Sequence, residues 1–200
     1  MLKSTCLVFA IQLLAFVLPA QNIEDLAAYE KSMMPGTQLT YDVNSGGKKY
    51  QLIATLKKAG EEISFFWKTT ESTPRSGTVS VTNTAVTKAD ALNNYFTGGD
   101  TKLDKETALF LSQKMFNDIS STSAANIKVN GASDTTTALS NTIGEFNFNL
   151  NGNLVAIPGW ELQGGSDIKY TVQVLESFKF PLIYLLDIGW TMQLAEVKMP

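Results

Sequence analysis

Apolar and polar residues alternate with a period of two in several segments, and turns rich in glycine and asparagine separate those segments. The clearest case is 145–150 (EFNFNL), which is followed by the turn 151–153 (NGN) and a second apolar run at 154–157. A similar pair of segments spans 39–56. Strands with one face on a core alternate in this way, and such turns join hairpins. The chain is therefore predicted to be mainly β, an antiparallel meander forming a sandwich or an open half-barrel.

Further strands are predicted where the same composition recurs, at 63–68, 78–82, 168–175, 180–186 and 190–197. The segment 180–186 (FPLIYLL) is apolar on both faces, as expected of a central strand covered on both sides. Because the chain ends almost where the last of these strands ends, that strand is predicted to be an integral part of the sheet.

Three short helices are also predicted. The first spans 23–34, and the second opens with a capping box at 87–90 and runs through Phe96. Asp104 is the predicted N-cap of a third helix that runs to Ile119. An alternative for this last region is a strand at 107–111 that leads into a shorter helix.

The first twenty residues are predicted to be a signal peptide. Lys3 supplies the positive charge, and the uncharged run 6–18 is shorter than the roughly 20 apolar residues that span a bilayer. Cleavage is expected between Ala20 and Gln21, the alternative being retention as an uncleaved anchor. The residues 19–21 (PAQ) around this site resemble those of signal peptides common in Bacteroidetes-type bacteria. The chain is therefore expected in the periplasm or outside the cell of a Gram-negative bacterium, with no stable membrane insertion after cleavage.

Residues 21–200 are predicted to form a single domain. Within it, 120–142 is crowded with serine, threonine and asparagine and is interpreted as a surface loop that contains a small edge strand near 127–129. Loops longer than about 15 residues are uncommon in compact domains, so a linker between two domains is the alternative.

Catalytic chemistry is narrowed by the residues that the sequence lacks. The chain has no histidine, and its only cysteine, Cys6, lies in the predicted signal peptide. Catalytic triads that use histidine and zinc sites built on imidazole or thiolate are therefore excluded. Ser-x-x-Lys occurs at 45–48 and 166–169, but on a predicted turn and strand rather than on a helix. We predict no catalytic residue, no cofactor and no metal site, and a net charge of −3 disfavours nucleic acid as a partner.

Carboxylate chemistry stays open, because a glycosidase needs only two acids roughly 5 to 9 Å apart. Glu61 and Glu62 are interpreted as solvated turn residues. Asp100, Asp104 and Glu106 do not follow the spacing of a calcium loop, and helix capping explains Asp104 better.

Aromatic side chains are the remaining candidates for ligand binding: Trp160, Phe66, Trp67 and Trp190. Trp160 lies between Pro158-Gly159 and Gly164-Gly165, outside any clean strand pattern, and is predicted to be exposed. Phe66 falls on the face opposite Trp67.

The order of a signal peptide, an N-terminal helix, consecutive hairpins, short inserted helices and a terminal strand resembles the open half-barrels of periplasmic lipoprotein carriers of the LolA type. The resemblance is one of architecture, and it implies an apolar ligand held between a curved sheet and helices. We therefore expect an exported, non-enzymatic binding or carrier protein for an apolar ligand or protein partner. The alternative is a carboxylate-dependent polysaccharide hydrolase or a sugar-binding module. The expected partners are accordingly an apolar small molecule, a glycan or an envelope protein.

Overall fold

Strands make up 54% of the computed structural model and helices 16%, so the prediction of a mainly β, mostly antiparallel fold is confirmed. The structure describes residues 20–94, 96–129, 136–137, 142–164 and 170–200. The predicted signal peptide therefore lies outside the described residues, except for Ala20. The strands are β1 (Gln38–Ser45), β2 (Lys48–Ala59), β3 (Ile63–Thr69), β4 (Ser76–Val81), β5 (Ala91–Leu92), β6 (Gly99–Leu103), β7 (Glu106–Thr107), β8 (Asn126–Val129), β9 (Thr136–Thr137), β10 (Thr142–Leu150), β11 (Asn153–Gly164), β12 (Tyr170–Leu175), β13 (Ile183–Asp187) and β14 (Thr191–Lys198).

The larger sheet has ten strands in the order β10-β11-β12-β13-β14-β1-β2-β3-β4-β6 within the described part of the chain. A parallel pairing of β10 with β14 closes its first five strands into a barrel, and the other five extend from it as outer strands. A smaller sheet has the order β7-β5-β8-β9. Barrels of eight strands are already just wide enough for side chains to fill, so the interior of this narrower ring is core rather than an open channel.

Both predicted hairpins are confirmed, and each turns as its residues require. Gly46 and Gly47 connect β1 to β2 with φ angles of 57° and 76°. Asn151 and Gly152 connect β10 to β11 with φ angles of 52° and 84°. Positive φ at both central residues matches the right-handed twist of the flanking strands, and glycine and asparagine adopt it at least cost.

The predicted role of the last strand is also confirmed. One edge of β14 pairs with β1. The other edge pairs first with β13 and then with β10. In β14, Met192, Leu194 and Val197 are at most 2% exposed. The deletion of this strand would open the barrel and detach the outer strands from it.

The helices are α1 (Ala20–Ser32), α2 (Asn83–Lys88) and α3 (Gln113–Thr122). The first agrees with the prediction, and its Tyr29 is fully buried. The ring of Tyr29 lies 6.1 Å from that of Phe148, and its hydroxyl donates to the carbonyl of Phe180 at 2.7 Å. Burial raises the pKa of this hydroxyl well above its ordinary value.

The predicted start of the second helix is wrong. The side chain of Thr82 accepts a hydrogen bond from the amide of Ala85 and caps α2, which ends at Lys88, inside the predicted capping box. Ala91 and Leu92 instead form β5, which pairs in parallel with β7 and β8.

The prediction of a third helix from Asp104 to Ile119 is also wrong. The alternative, a strand that leads into a shorter helix, is closer to the structure. β7 comes first, and Ser112 caps α3 by accepting from the amide of Met115. Between them Leu109 has a φ of 67°, which is incompatible with a continuous helix. The small strand predicted inside 120–142 is present as β8, whose Ile127 and Val129 are buried, but it lies between β5 and β9 rather than at an edge of the smaller sheet. Residues 130–135 and 138–141 of that segment lie outside the described residues.

The prediction that Trp160 lies outside a strand and is exposed is wrong. β11 runs without interruption through Pro158 and Gly159, and Trp160 is 8% exposed. The buried face of the strand changes at this point. Val155 and Ile157 are buried before Pro158-Gly159, and Trp160 and Leu162 are buried after it. A change of buried face inside one strand hides the alternation from which a strand is predicted.

Among the described residues, no helix combines the length and the apolar character needed to cross a membrane.

We expect Leu194→Ala to lower the free energy of unfolding by about 2–5 kcal/mol, because it leaves a cavity in β14, where the side chain is 1% exposed. The matched control is Leu154→Ala, at a leucine that is 71% exposed, which should change stability by less than about 0.5 kcal/mol. Urea denaturation followed by circular dichroism measures both. Equal losses in the two variants would mean that β14 is not part of the core.

We expect Gly159→Ala to destabilise the protein by about 1–3 kcal/mol, because an added methyl would overlap the carbonyl oxygen of Val174 and lie 2.6 Å from the ring of Phe146. Gly60→Ala is the control, since nothing lies within 4 Å of its added methyl. Thermal unfolding distinguishes the two, and an unchanged melting temperature in Gly159→Ala would contradict the close packing of β11 on its neighbours.

Candidate ligand-binding cavity

A cavity of about 200 Å³ lies at the end of the larger sheet where the β1–β2 and β13–β14 hairpins turn. We call it the end cavity. Its walls come from the last residues of the sheet and from the connection between β5 and β6. The lining residues are Val43, Ser45, Tyr50, Leu52, Thr69, Arg75, Asn94, Phe96, Thr97, Trp190 and Met192.

The end cavity forms where the packed core stops short of the end of the sheet. The β1–β2 hairpin turns at Gly46 and Gly47, and the β13–β14 hairpin turns at Gly189. Phe96 bounds the cavity and meets Trp67 edge to face, with ring centroids 5.2 Å apart. Its walls are therefore tied to the core behind them.

The most unusual group in the lining is the side chain of Asn94. It is 7% exposed, and neither Oδ1 nor Nδ2 has a hydrogen-bond partner among the described residues. The neighbouring Asn93, in contrast, donates to a carboxylate oxygen of Glu106 at 3.1 Å. A buried amide without partners costs about 1–3 kcal/mol. A polar group that stays buried without partners needs an explanation, and one explanation is that it binds a ligand.

The one charged side chain of the lining is neutralised by a neighbour. Arg75 contacts a carboxylate oxygen of Glu71 through Nε at 2.9 Å and NH2 at 2.9 Å, and its NH1 donates to the carbonyl of Phe96 at 3.0 Å. Thr69 donates to the same oxygen of Glu71 at 3.0 Å. Arg75 therefore ties the loop after β3 to the cavity wall.

The surroundings of Glu71 favour its charged form beside Arg75. Partial burial alone would raise this pKa, but hydrogen bonds from Arg75 and Thr69, with the charges of Arg75 and Lys48, outweigh it and lower the pKa below its ordinary value. The carboxylate is thus ionised at neutral pH, and its negative charge balances the positive charge of Arg75 beside the end cavity.

Tyr50 connects the end cavity to two shallower surface grooves. One groove, of about 520 Å³, runs over the outer side of β1, β2 and β14. The other, of about 470 Å³, is lined by Tyr50 with Lys48, Lys49, Glu71, Ser72 and Thr73, and we call it the rim groove. A ligand larger than the end cavity has room to continue past Tyr50.

The four aromatic residues predicted to bind a ligand do not form one site. Trp190 lines the end cavity, and Trp67 is a core residue, 1% exposed, behind Phe96. Phe66 is on the opposite face, as predicted, and the ammonium of Lys57 lies 5.7 Å from its ring centroid. Trp160 is not among the residues that line the end cavity, and its ring centroid lies 5.0 Å from that of Phe116.

The residues that sequence reasoning missed are Asn94, Tyr50 and Phe96. The predicted second helix includes 93–96 (NNYF), and nothing in that sequence distinguishes Asn93, which has a partner, from Asn94, which has none among the described residues. Tyr50 lies on the apolar face of the alternation at 39–56, in phase with the buried Leu52, but the alternation does not reveal that the core ends beside it.

The candidate acids are largely engaged in ordinary surface interactions. Glu62 pairs with Lys58 at 3.0 Å, Asp104 with Lys102 at 3.4 Å, and Glu106 accepts from Asn93. Burial raises the pKa of Glu176, and no second carboxylate contributes to that shift. No group of three or more metal-ligating acids occurs in the part of the chain that the structure describes.

Comparisons of the chain with protein-family models, curated proteins and solved structures found no match.

We expect Asn94→Leu to raise the free energy of unfolding by about 1–3 kcal/mol, because it replaces a buried amide without partners by an apolar side chain of similar size. The matched control is Asn93→Leu, which removes a hydrogen bond to Glu106 and should lower stability. Chemical denaturation measures both. A loss of stability in Asn94→Leu as large as that in Asn93→Leu would show that the Asn94 amide is already satisfied.

Proposed function

We propose that this chain is an exported, non-enzymatic binding protein and that the end cavity is its ligand site. The observation that carries the proposal is the Asn94 amide, which is buried without a described partner in a lining that also includes aromatic, aliphatic and hydroxyl side chains. Ligand sites typically combine an apolar lining with a few polar groups that orient the ligand. An apolar side chain at this position would cost the fold less.

The size of the end cavity limits what it takes. At about 200 Å³ it is smaller than the roughly 300–1,000 Å³ of pockets that enclose a whole drug-sized ligand. It therefore suits a single small group, and the rest of a larger ligand would lie in the adjoining grooves at Tyr50.

The packing favours a partly polar ligand over a lipid chain. In a lipid carrier of the half-barrel type, the ligand lies between sheet and helices, but here aromatic side chains pack together at such positions. Phe116 of α3 lies on Trp160 of β11, and Tyr29 of α1 lies on Phe148 of β10. An acyl chain would also leave the Asn94 amide unsatisfied.

The hydrolase alternative has no supporting observation. Its mechanism requires two facing carboxyl groups whose environments move their pKa values apart. The raised pKa of Glu176 arises from burial alone, and Glu71 is held by Arg75.

Native mass spectrometry of the protein purified from its own host tests the proposal. We expect a bound small molecule, either retained on purification or taken up from a small-molecule extract of the host. The mass of the protein also reports on export, since cleavage between Ala20 and Gln21 removes a defined segment.

Ser45→Trp provides the matched blocking variant, because Ser45 lines the end cavity and a large side chain there would fill it. We expect it to lose the bound molecule while retaining cooperative unfolding. Ser80→Trp, at an exposed position of β4 outside the lining, should retain the molecule. The proposal is wrong if wild type binds nothing from either source, or if Ser45→Trp binds as well as wild type.

A further inference from the structure

Resting on the proposed function, we infer that the end cavity takes one uncharged pyranose ring of a saccharide, which Asn94 holds through two adjacent hydroxyl groups. The inference combines three features of the lining: the Asn94 amide, the surrounding aromatic rings and the neutralised Arg75.

The Asn94 amide presents a donor and an acceptor side by side. Its Oδ1 accepts and its Nδ2 donates, and neither has a described partner. A hydroxyl group can do either. Of two neighbouring hydroxyls on a pyranose ring, one donates to Oδ1 and the other accepts from Nδ2, so that both atoms of the amide are satisfied together.

The aromatic lining suits the other face of such a ring. A pyranose carries its hydroxyls at the edge, and its C–H groups form an apolar surface. Tyr50, Phe96 and Trp190 provide aromatic surface in the same cavity as Asn94. Tyrosine and tryptophan also keep a polar end that can face water or a further hydroxyl.

Charge argues for a neutral saccharide. The guanidinium of Arg75 already contacts Glu71 and donates to the carbonyl of Phe96. It therefore has no free pair of N–H donors with which to bind a carboxylate or a phosphate. Lys48 and Lys49 border the rim groove rather than the end cavity. The bound ring itself therefore carries no charge.

A planar heterocycle with amide edges could also pair with the Asn94 side chain. The hydroxyl groups of the cavity wall favour a saccharide instead. Ser45 and Thr97 line the cavity and are not fully buried. Both can bond to the further hydroxyls of a sugar, whereas a planar ring offers few groups to them. Additional sugar units would continue past Tyr50 into the rim groove, whose lining includes Ser72 and Thr73.

Saturation-transfer NMR and calorimetry test the inference with methyl glucoside, methyl galactoside and methyl mannoside and with cellobiose and mannobiose. Uracil serves as the planar amide probe. We expect at least one saccharide to bind wild type more tightly than uracil does. Asn94→Leu should weaken that binding about tenfold, which corresponds to the loss of hydrogen bonds to a buried amide.

Ser45→Trp gives a second, independent loss of binding, and Ser80→Trp should bind as wild type does. No binding of any saccharide, or equal binding by wild type and Asn94→Leu, would overturn the inference. Binding of uracil without any saccharide overturns the ligand class. If Ser45→Trp loses the host-derived molecule while no saccharide binds, this inference fails and the proposed function stands; if wild type binds no host molecule either, both fail.

Discussion

The hydrogen bonding of β14 along both of its edges is the interaction on which the rest of the structure depends. One edge pairs with β1 over the length of the strand, and the other pairs with β13 and then with β10. The exchange of partners coincides with a bulge, because Thr40 pairs with Glu196 and Tyr41 with Leu194, which leaves Ala195 unmatched. A bulge adds twist and reverses the inward face, so that Leu194 before it and Val197 after it are both buried. The barrel and the outer strands thus share one core.

The end cavity is a consequence of the same arrangement. The turns after β1 and β13 contain glycines, and Asn94 and Phe96, which follow β5, line the cavity at that end of the sheet. Arg75 fixes that connection through the carbonyl of Phe96. The fold therefore has an interior that is satisfied by packing and one end where a polar group is buried without a described partner. Such local costs persist where the surrounding structure holds the group in place, and they concentrate at functional sites.

The elements predicted correctly are those that a few neighbouring residues determine. The hairpins at Gly46-Gly47 and Asn151-Gly152 were predicted correctly, because turn chemistry and alternation act over a few residues. The predicted second and third helices begin at the wrong residues. Thr82 and Ser112 cap the helices in the structure, but Thr87 and Asp104 are equally good capping signals in the sequence. Of the predicted site residues, Trp190 lies in the end cavity. The flanking Pro158-Gly159 and Gly164-Gly165 predict an exposed Trp160, but β11 continues through Pro158-Gly159 and changes its buried face there, so Trp160 is buried.

By itself, the sequence determined the strand-rich composition of the fold, the positions of its tight turns and the exclusion of histidine chemistry, since each of these depends on residue type and short spacing. The tertiary structure decided that the first five strands of the sheet order close into a ring and that β14 belongs to both parts of the sheet. It also decided that Asn94, unlike Asn93, has no side-chain partner among the residues that the structure describes. These features depend on contacts between residues far apart in the chain. Whether a polar side chain finds a partner is decided by the atoms packed around it, which its neighbours in sequence do not specify.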